Sequence, residues 1–266
     1  MSDESGDQEM NQDDRRKYLI KELLKERPEY ENMQIPEDAS EQKMLLRSLM
    51  NIRMPGKIDH AFLQIQDAYL SEENKQKGIV TLTDIREVQP DIFIWKGDIT
   101  RLGVGAIVNA ANIGMTGCYQ PCHNCIDNCI HTYAGIQLRN YCNKMMMKQR
   151  HEEATGQAKI TPAFNLPCDY VIHTVGPIVQ GKLTKEHERL LISCYESCLR
   201  IADENEVKSI AFCCISTGVF MFPNKRAAEL AVKTVKQYKE KTKSKIKVIF
   251  NVFKEEDERL YRQLLG

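Results

Sequence analysis

The sequence predicts an α/β fold preceded by a helical unit, and three observations carry that expectation. From about Val80 onward, short apolar runs alternate with amphipathic stretches of helical period, the pattern of layered helices on a largely parallel sheet. Upstream of Val80 the periodicity is helical only. The 266 residues are 42% hydrophobic and 28% charged, a globular mix on a chain long enough to bury a real core.

The elements follow in order. Residues 1–13 are acidic and polar and carry no base, which predicts a disordered tail. Residues 14–79 predict a helical extension. Its first helix runs from Asp14 to about Arg27 and stops at Pro28. A turn-rich linker covers 28–39. Ser40 is the expected N-cap of a second helix that ends before Pro55. A third spans about Asp59 to Lys75, with Phe62, Ile65, Ala68 and Tyr69 on one face. Helices this short are expected to pack on the α/β part of the chain. Within 80–266, IFIWKG, GAIVNAAN, AKITPAF, DYVIHTVG, SIAFCCIS and KVIFNVF predict strands, and about 126–149, 184–204, 224–242 and 254–265 predict helices.

Composition narrows the function. Lys plus Arg equals Asp plus Glu at 37 each, so no polyanion-binding surface covers the protein and no nucleic-acid partner is expected. No apolar run approaches the roughly 20 residues of a membrane span. The acidic N-terminus is the opposite of a secretory or transit signal, so a cytoplasmic location without a membrane partner is expected. The ten cysteines then do not form a disulfide framework. Cys194, Cys198, Cys213 and Cys214 sit in apolar helix and strand patterns and are expected in the core.

Three strand ends carry unusual residues, at the places where open α/β sheets bind ligands. Asp98 in WKGDIT presents a carboxylate to an exocyclic amine, or merely caps a turn. Asn109 and Asn112 in VNAANIGMTGC offer two amides suited to sugar hydroxyls, or build a turn. Ser216-Thr217-Gly218 precedes Pro223 and a helix, so successive N–H groups there suit a diphosphate. No Walker lysine accompanies them, so nucleotide hydrolysis is not indicated. Cys118, Cys122, His123, Cys125 and Cys129 place five potential zinc ligands within one short loop and helix start. Three ligands leave zinc one open position, whereas a fourth from Cys122 or Cys129 closes a structural site. Asp127 begins a helix, where a carboxylate is favoured in any case.

Together, VNAAN, HTVGP and the STG loop resemble the macrodomain family over residues 80–266. The resemblance implies a three-layer α/β/α sandwich with a mixed, largely parallel sheet and an ADP-ribose cleft. It implies that Asp98 and Ile99 hold the adenine and that Asn112 and Gly117 face the distal ribose. The backbone of Ser216, Thr217, Gly218, Val219 and Phe220 then wraps the diphosphate. Met221 stands where the family commonly has Gly, a departure expected to narrow or reshape that loop.

The stretch GCYQPCHNCIDNCIH resembles the zinc-containing macrodomains of microbes, which are protein-ADP-ribose hydrolases with a similar N-terminal extension. Their Cys-x4-His-x-Cys pattern selects Cys118, His123 and Cys125 for one Zn2+ per chain. Asp127 falls on their acidic residue, so Asn112 and Asp127 are the implied catalytic pair, while His131 is expected to be structural. The implied function is zinc-dependent removal of mono-ADP-ribose from acidic side chains of modified proteins. The alternative is a non-catalytic ADP-ribose reader with a structural zinc. The implied partners are ADP-ribose and ADP-ribosylated proteins. Some such relatives share a pathway with a sirtuin-type transferase and a lipoyl-carrier protein.

Overall fold

The structure, a computed structural model, describes residues 10–30 and 32–266, so most of the expected acidic tail lies outside the described residues. Helix α1 (Gln12–Lys25) starts two residues before the expected Asp14, because the Asn11 side chain caps it by accepting from the Asp14 N–H. Helix α2 (Ala39–Ile52) is capped by Asp38 rather than by Ser40: the Asp38 carboxylate accepts from the N–H groups of Ser40 and Glu41, both at 2.9 Å. A carboxylate there also complements the positive end of the helix. Helix α3 (His60–Gln76) completes the extension. Leu19 and Leu23, Leu46 and Leu49, and Phe62 and Leu70 from the three helices close one apolar core, joined by Ile136 from further along the chain.

The remaining strands are β1 (Glu87–Gln89), β2 (Ile92–Lys96), β3 (Ala106–Ala111), β4 (Ala158–Pro162), β5 (Tyr170–Val175), β6 (Ser209–Phe212) and β7 (Lys247–Val252). Among the described residues they form one seven-stranded sheet in the order β1-β2-β7-β6-β3-β5-β4. The five inner strands run parallel; β1 and β4 are antiparallel edges. The three-residue β1 carries no alternation to read, and the sequence did not predict it. Strand β6 stops at Phe212, and the residues after it turn into a loop.

Helices α4 (Ile126–Ala134), α5 (Ile136–Gln149), α6 (Lys185–Glu204), α7 (Asn224–Thr242) and α8 (Glu255–Leu265) cover the sheet. Successive β5 residues point to opposite faces. His173 reaches Cys142 of α5, while Thr174 faces Cys194 of α6. The layers are therefore α4 and α5, the sheet, and α6 with α7 and α8. The extension stacks on α4 as an outer addition. Cys194, Cys198 and Cys213 are buried in the main core and Cys214 is partly buried. Among the described residues no helix is long and apolar enough to cross a membrane.

The expected single helix over 126–149 is two helices, broken at Gly135. That residue takes φ +94°, and a Cβ there would lie 2.7 Å from Gln66 Nε2 and 2.6 Å from Gln137 Oε1. Gln66 of α3 instead accepts from the Ile136 N–H at 3.0 Å. The break thus docks α3 against the start of α5. Gly135→Ala should cost about 1–3 kcal/mol from the left-handed backbone and the close contacts together; urea unfolding with an unchanged stability would refute the assignment.

Candidate active site

The parallel strands end along one edge, and three of the loops that follow them carry the candidate residues. Strand β2 leads to Asp98, whose carboxylate caps a short turn over Ile99–Arg101. Both bonds it makes, to the Thr100 N–H at 3.0 Å and the Thr100 hydroxyl at 2.7 Å, fall on Oδ1. Oδ2 makes no hydrogen bond with the described residues.

Strand β3 leads to the cysteine loop. Asn109 and Asn112, three apart across the strand end, divide their roles. Asn109 is fully buried. Its amide Nδ2 donates to Asp127 Oδ1 at 2.8 Å and lies 3.1 Å from His173 Nδ1, so it is an internal strut and not the sugar-facing amide expected for it. Asn112 is half-buried; its Nδ2 donates to Asp127 Oδ2 at 3.2 Å and to the Gly117 carbonyl at 3.1 Å. One carboxylate thereby receives both amides. Burial pushes the Asp127 acid up to about 6, against the lowering effect of the Asn109 bond and the Arg139 charge. The His131 ring lies 6.0 Å from that of His173 and is tilted to it by 54°, and burial holds His131 neutral, well below its ordinary value. His173, held down to about 3 by burial, bonds Thr161 Oγ1 at 3.0 Å.

Gly117 takes φ +85°, and a Cβ there would meet the His131 ring at 2.7 Å. The loop backbone can only lie this low over α4 because Gly117 has no side chain. Beyond it Cys118, His123 and Cys125 converge: one ligand atom from each lies within 4.8 Å of the others. Cys118 Sγ and His123 Nδ1 are 3.5 Å apart. A tetrahedral zinc with Zn–S of about 2.3 Å and Zn–N of about 2.0–2.1 Å has an S···N edge of about 3.6 Å. The donor set and its spacing therefore fit a zinc ion. Cys122 turns the other way, with Sγ 3.2 Å from Ser48 Oγ, and Cys129 lies 3.6 Å from Arg47 Nη2. Neither belongs to the converging group.

Strand β6 leads to the loop over Ser216–Phe222. Ser216 is buried with φ +66°, and its hydroxyl packs on the backbone of Gly176, where a Cβ would lie 2.1 Å away. The Ser216 carbonyl accepts from the Phe222 N–H at 2.9 Å, and the Phe220 carbonyl from the Val179 N–H at 2.9 Å. Those bonds bend the loop so that the N–H groups of Gly218, Val219 and Phe220 bond to none of the described residues. Val219 is 72% exposed. Met221 also takes a left-handed φ of +56° and is 72% exposed, so its side chain leaves the loop for solvent and does not narrow it.

Sequence reading alone missed Arg47 and Asn51 of α2 and Arg139 of α5, all bonded to the cysteine loop. Arg139 does carry a signal, a charge set beside Leu138 and Cys142 on an otherwise buried helix face. Asn109→Ala should destabilise the chain by about 1–3 kcal/mol, because Asp127 and His173 each lose a buried partner; denaturant unfolding equal to the parent would show that the strut carries nothing.

Comparison with known proteins agrees with this arrangement. The Macro domain family model matches residues 108–231, from within β3 into the first half of α7. A Treponema medium protein named Protein-ADP-ribose hydrolase is 59% identical over 97% of this chain and its own whole length. A Staphylococcus aureus (strain MSSA476) protein of the same name is 45% identical over 94% of each chain. Among solved structures, a Trypanosoma brucei macrodomain in complex with ADP-ribose superposes with a TM-score of 0.65 at 27% identity, covering 87% of this chain and 97% of that one. With the strand-end loops, the sheet order and these full-length relatives all in agreement, the chain belongs to the macrodomain family.

Proposed function

We propose that this protein is a zinc-dependent hydrolase that removes single ADP-ribose units from acidic side chains of modified proteins. The observation that carries the reading is the convergence of Cys118, His123 and Cys125 directly after Asn112, on the loop whose far end is Asp127. The names of the Treponema and Staphylococcus relatives support it. So does the ADP-ribose bound by the trypanosomal macrodomain.

Binding and chemistry fall to different loops in this reading. Asp98 Oδ2 accepts from the adenine amine, with Ile99 beneath the ring. The N–H groups of Gly218, Val219 and Phe220, in the bend that Ser216 and Thr217 begin, surround the diphosphate as a backbone anion site. Interactions remote from the scissile bond hold the reacting end in place. Asn112, aligned by Asp127, orients the distal ribose above Gly117. Asp127 is 5% exposed and already accepts two amides, so it acts through Asn112 as an orienting group. Cys118, His123 and Cys125 would hold zinc beside that ribose, where it would supply Lewis-acid polarisation. The substrates are ADP-ribosylated proteins, with free ADP-ribose as product.

Asp98→Ala should weaken ADP-ribose binding by about ten- to hundredfold, the loss of one bond to a charged acceptor, without altering the fold. Unaltered affinity in calorimetry would remove Asp98 from the site. His123→Ala separates the enzyme from a reader with a structural zinc. Single-turnover release of ADP-ribose from a mono-ADP-ribosylated protein should fall far more than ADP-ribose affinity, because Asp98 and the Ser216–Phe220 loop stand on other strands. Equal losses of both would return the metal to a structural role, and normal release without metal would end the proposal.

A further inference from the structure

The cysteine loop has almost no regular structure of its own. From Asn112 to Cys125 its backbone runs through left-handed residues at Met115, Gly117 and Cys122. A loop of this kind needs its polar backbone groups satisfied from outside. Here Asn112 at the end of β3 and Asn128 of α4 supply part of that satisfaction, and the N-terminal extension and α5 supply the rest.

Arg47 of α2 is the centre of this contact. Its Nη2 donates to the His123 carbonyl at 2.8 Å and to Asn128 Oδ1 at 2.9 Å, and its Nε lies 3.3 Å from the same Asn128 oxygen. The Asn128 amide in turn donates to the Gln120 carbonyl at 2.9 Å, and the Asn128 N–H to Cys125 Sγ at 3.4 Å. One guanidinium fork thus reaches two of the three converging residues, His123 directly and Cys125 through Asn128. Asn51, one turn further along α2, accepts from the Cys122 N–H at 2.9 Å, at the left-handed residue just before His123.

Arg139 completes the clamp from below. It is 5% exposed, and its bonds go to backbone carbonyls. Nη1 donates to Met50, Asn51 and Arg53 at 3.0, 2.7 and 2.7 Å, which are the carbonyls at the C-terminus of α2. Nε and Nη2 donate to Thr116 at 2.7 Å and Cys118 at 3.3 Å. The negative end of a helix suits a buried cation. The same side chain therefore ties the end of α2 to the backbone of the remaining converging residue, Cys118.

The helix that makes these contacts is held by its own apolar core with α1 and α3, independently of the loop. We propose that α2 is a template for the hydrolytic site, and that Arg47 is a positioning residue. It fixes the mutual placement of Cys118, His123 and Cys125 and the start of the helix that carries Asp127. The helical extension is then a working part of the site. This inference rests on the zinc-hydrolase reading above.

The test uses the full chain with Arg47→Met, which keeps the apolar stem, Arg47→Lys, and Lys43→Ala as a control. Lys43 lies on the same helix but pairs with Glu73 at 2.8 Å. Four quantities are measured on each: zinc affinity by competition with a chromophoric chelator, ADP-ribose affinity by calorimetry, single-turnover release, and Tm. Arg47→Met should lower zinc affinity by about ten- to hundredfold, the usual scale for groups that orient metal ligands. ADP-ribose affinity should change by less than about threefold, since the adenine and diphosphate loops lie elsewhere. Release should slow at limiting zinc and recover when zinc is raised. Arg47→Lys should recover only part of the affinity, because an ammonium lacks the fork that spans His123 and Asn128. Lys43→Ala should match the parent throughout. Arg47→Met with parental zinc affinity overturns the proposal, whatever its Tm, while leaving the hydrolase reading intact if the parent binds zinc and releases ADP-ribose. A parent that binds no zinc overturns both.

Discussion

The geometry of the site depends on one buried carboxylate. Asp127 starts α4 and accepts amide hydrogens from Asn109 inside β3 and Asn112 just past its end. Those two bonds bind the end of a strand to the beginning of a helix, with fourteen intervening residues between Asn112 and Asp127 closed into a loop. Loop closure opposes folding through lost chain entropy. Charge-assisted bonds in a dry interior are among the stronger compensations available. Everything between the anchors, including Gly117 pressed on the His131 ring and the convergence of Cys118, His123 and Cys125, depends on those anchors staying together.

The second constraint lies outside the sheet. The sheet edge supplies the strand ends that lead to Asp98 and to the Ser216–Phe222 loop, but this cysteine loop has almost no regular structure and takes further partners from the helices around it. Arg139 and Arg47 solve that with opposite geometries. Arg139 is buried and spreads its charge over backbone carbonyls of α2 and the loop. Arg47 is half-buried and spans a loop carbonyl and a side-chain amide. Planar guanidinium forks suit both tasks in a way a lysine does not. The extension is thereby coupled to the loop that carries Cys118, His123 and Cys125, while Asp98 and Ser216–Phe220 follow other strands, β2 and β6.

Much of this was legible in the sequence, for identifiable reasons. The six longer strands showed as β-branched runs, and the strand-end residues Asp98, Asn112 and Ser216–Gly218 stood out because small and amide residues ending an apolar run have few structural uses. Zinc-ligand spacing is local, so the five candidate ligands of the cysteine loop were visible without a fold, and only the resemblance to the family pattern singled out Cys118, His123 and Cys125 among them. What failed was non-local. Asn109 reads like Asn112 along the chain, and only the fold shows Asn109 fully buried between Asp127 and His173 while Asn112, half-buried just past the end of β3, bonds Asp127 and the loop backbone. Gly135 looks like a tolerated glycine in a long helix until α3 is docked against it. Asp38 capped α2 in place of Ser40 because either residue can cap, and the linker geometry decides between them. Arg47 and Asn51 lie more than seventy residues from their partners, a separation that no periodicity reports.

The central claim is that Cys118, His123 and Cys125 form a three-ligand zinc site opening on the distal ribose. A crystal structure of the chain with ADP-ribose, with diffraction recorded on both sides of the zinc absorption edge, tests it most directly. The account predicts one anomalous peak bonded to Cys118 Sγ, His123 Nδ1 and Cys125 Sγ, with its remaining position turned toward the ribose beside Asn112. A peak closed by Cys122 or Cys129 as a fourth protein ligand, or no zinc peak in protein prepared without chelator, would contradict it.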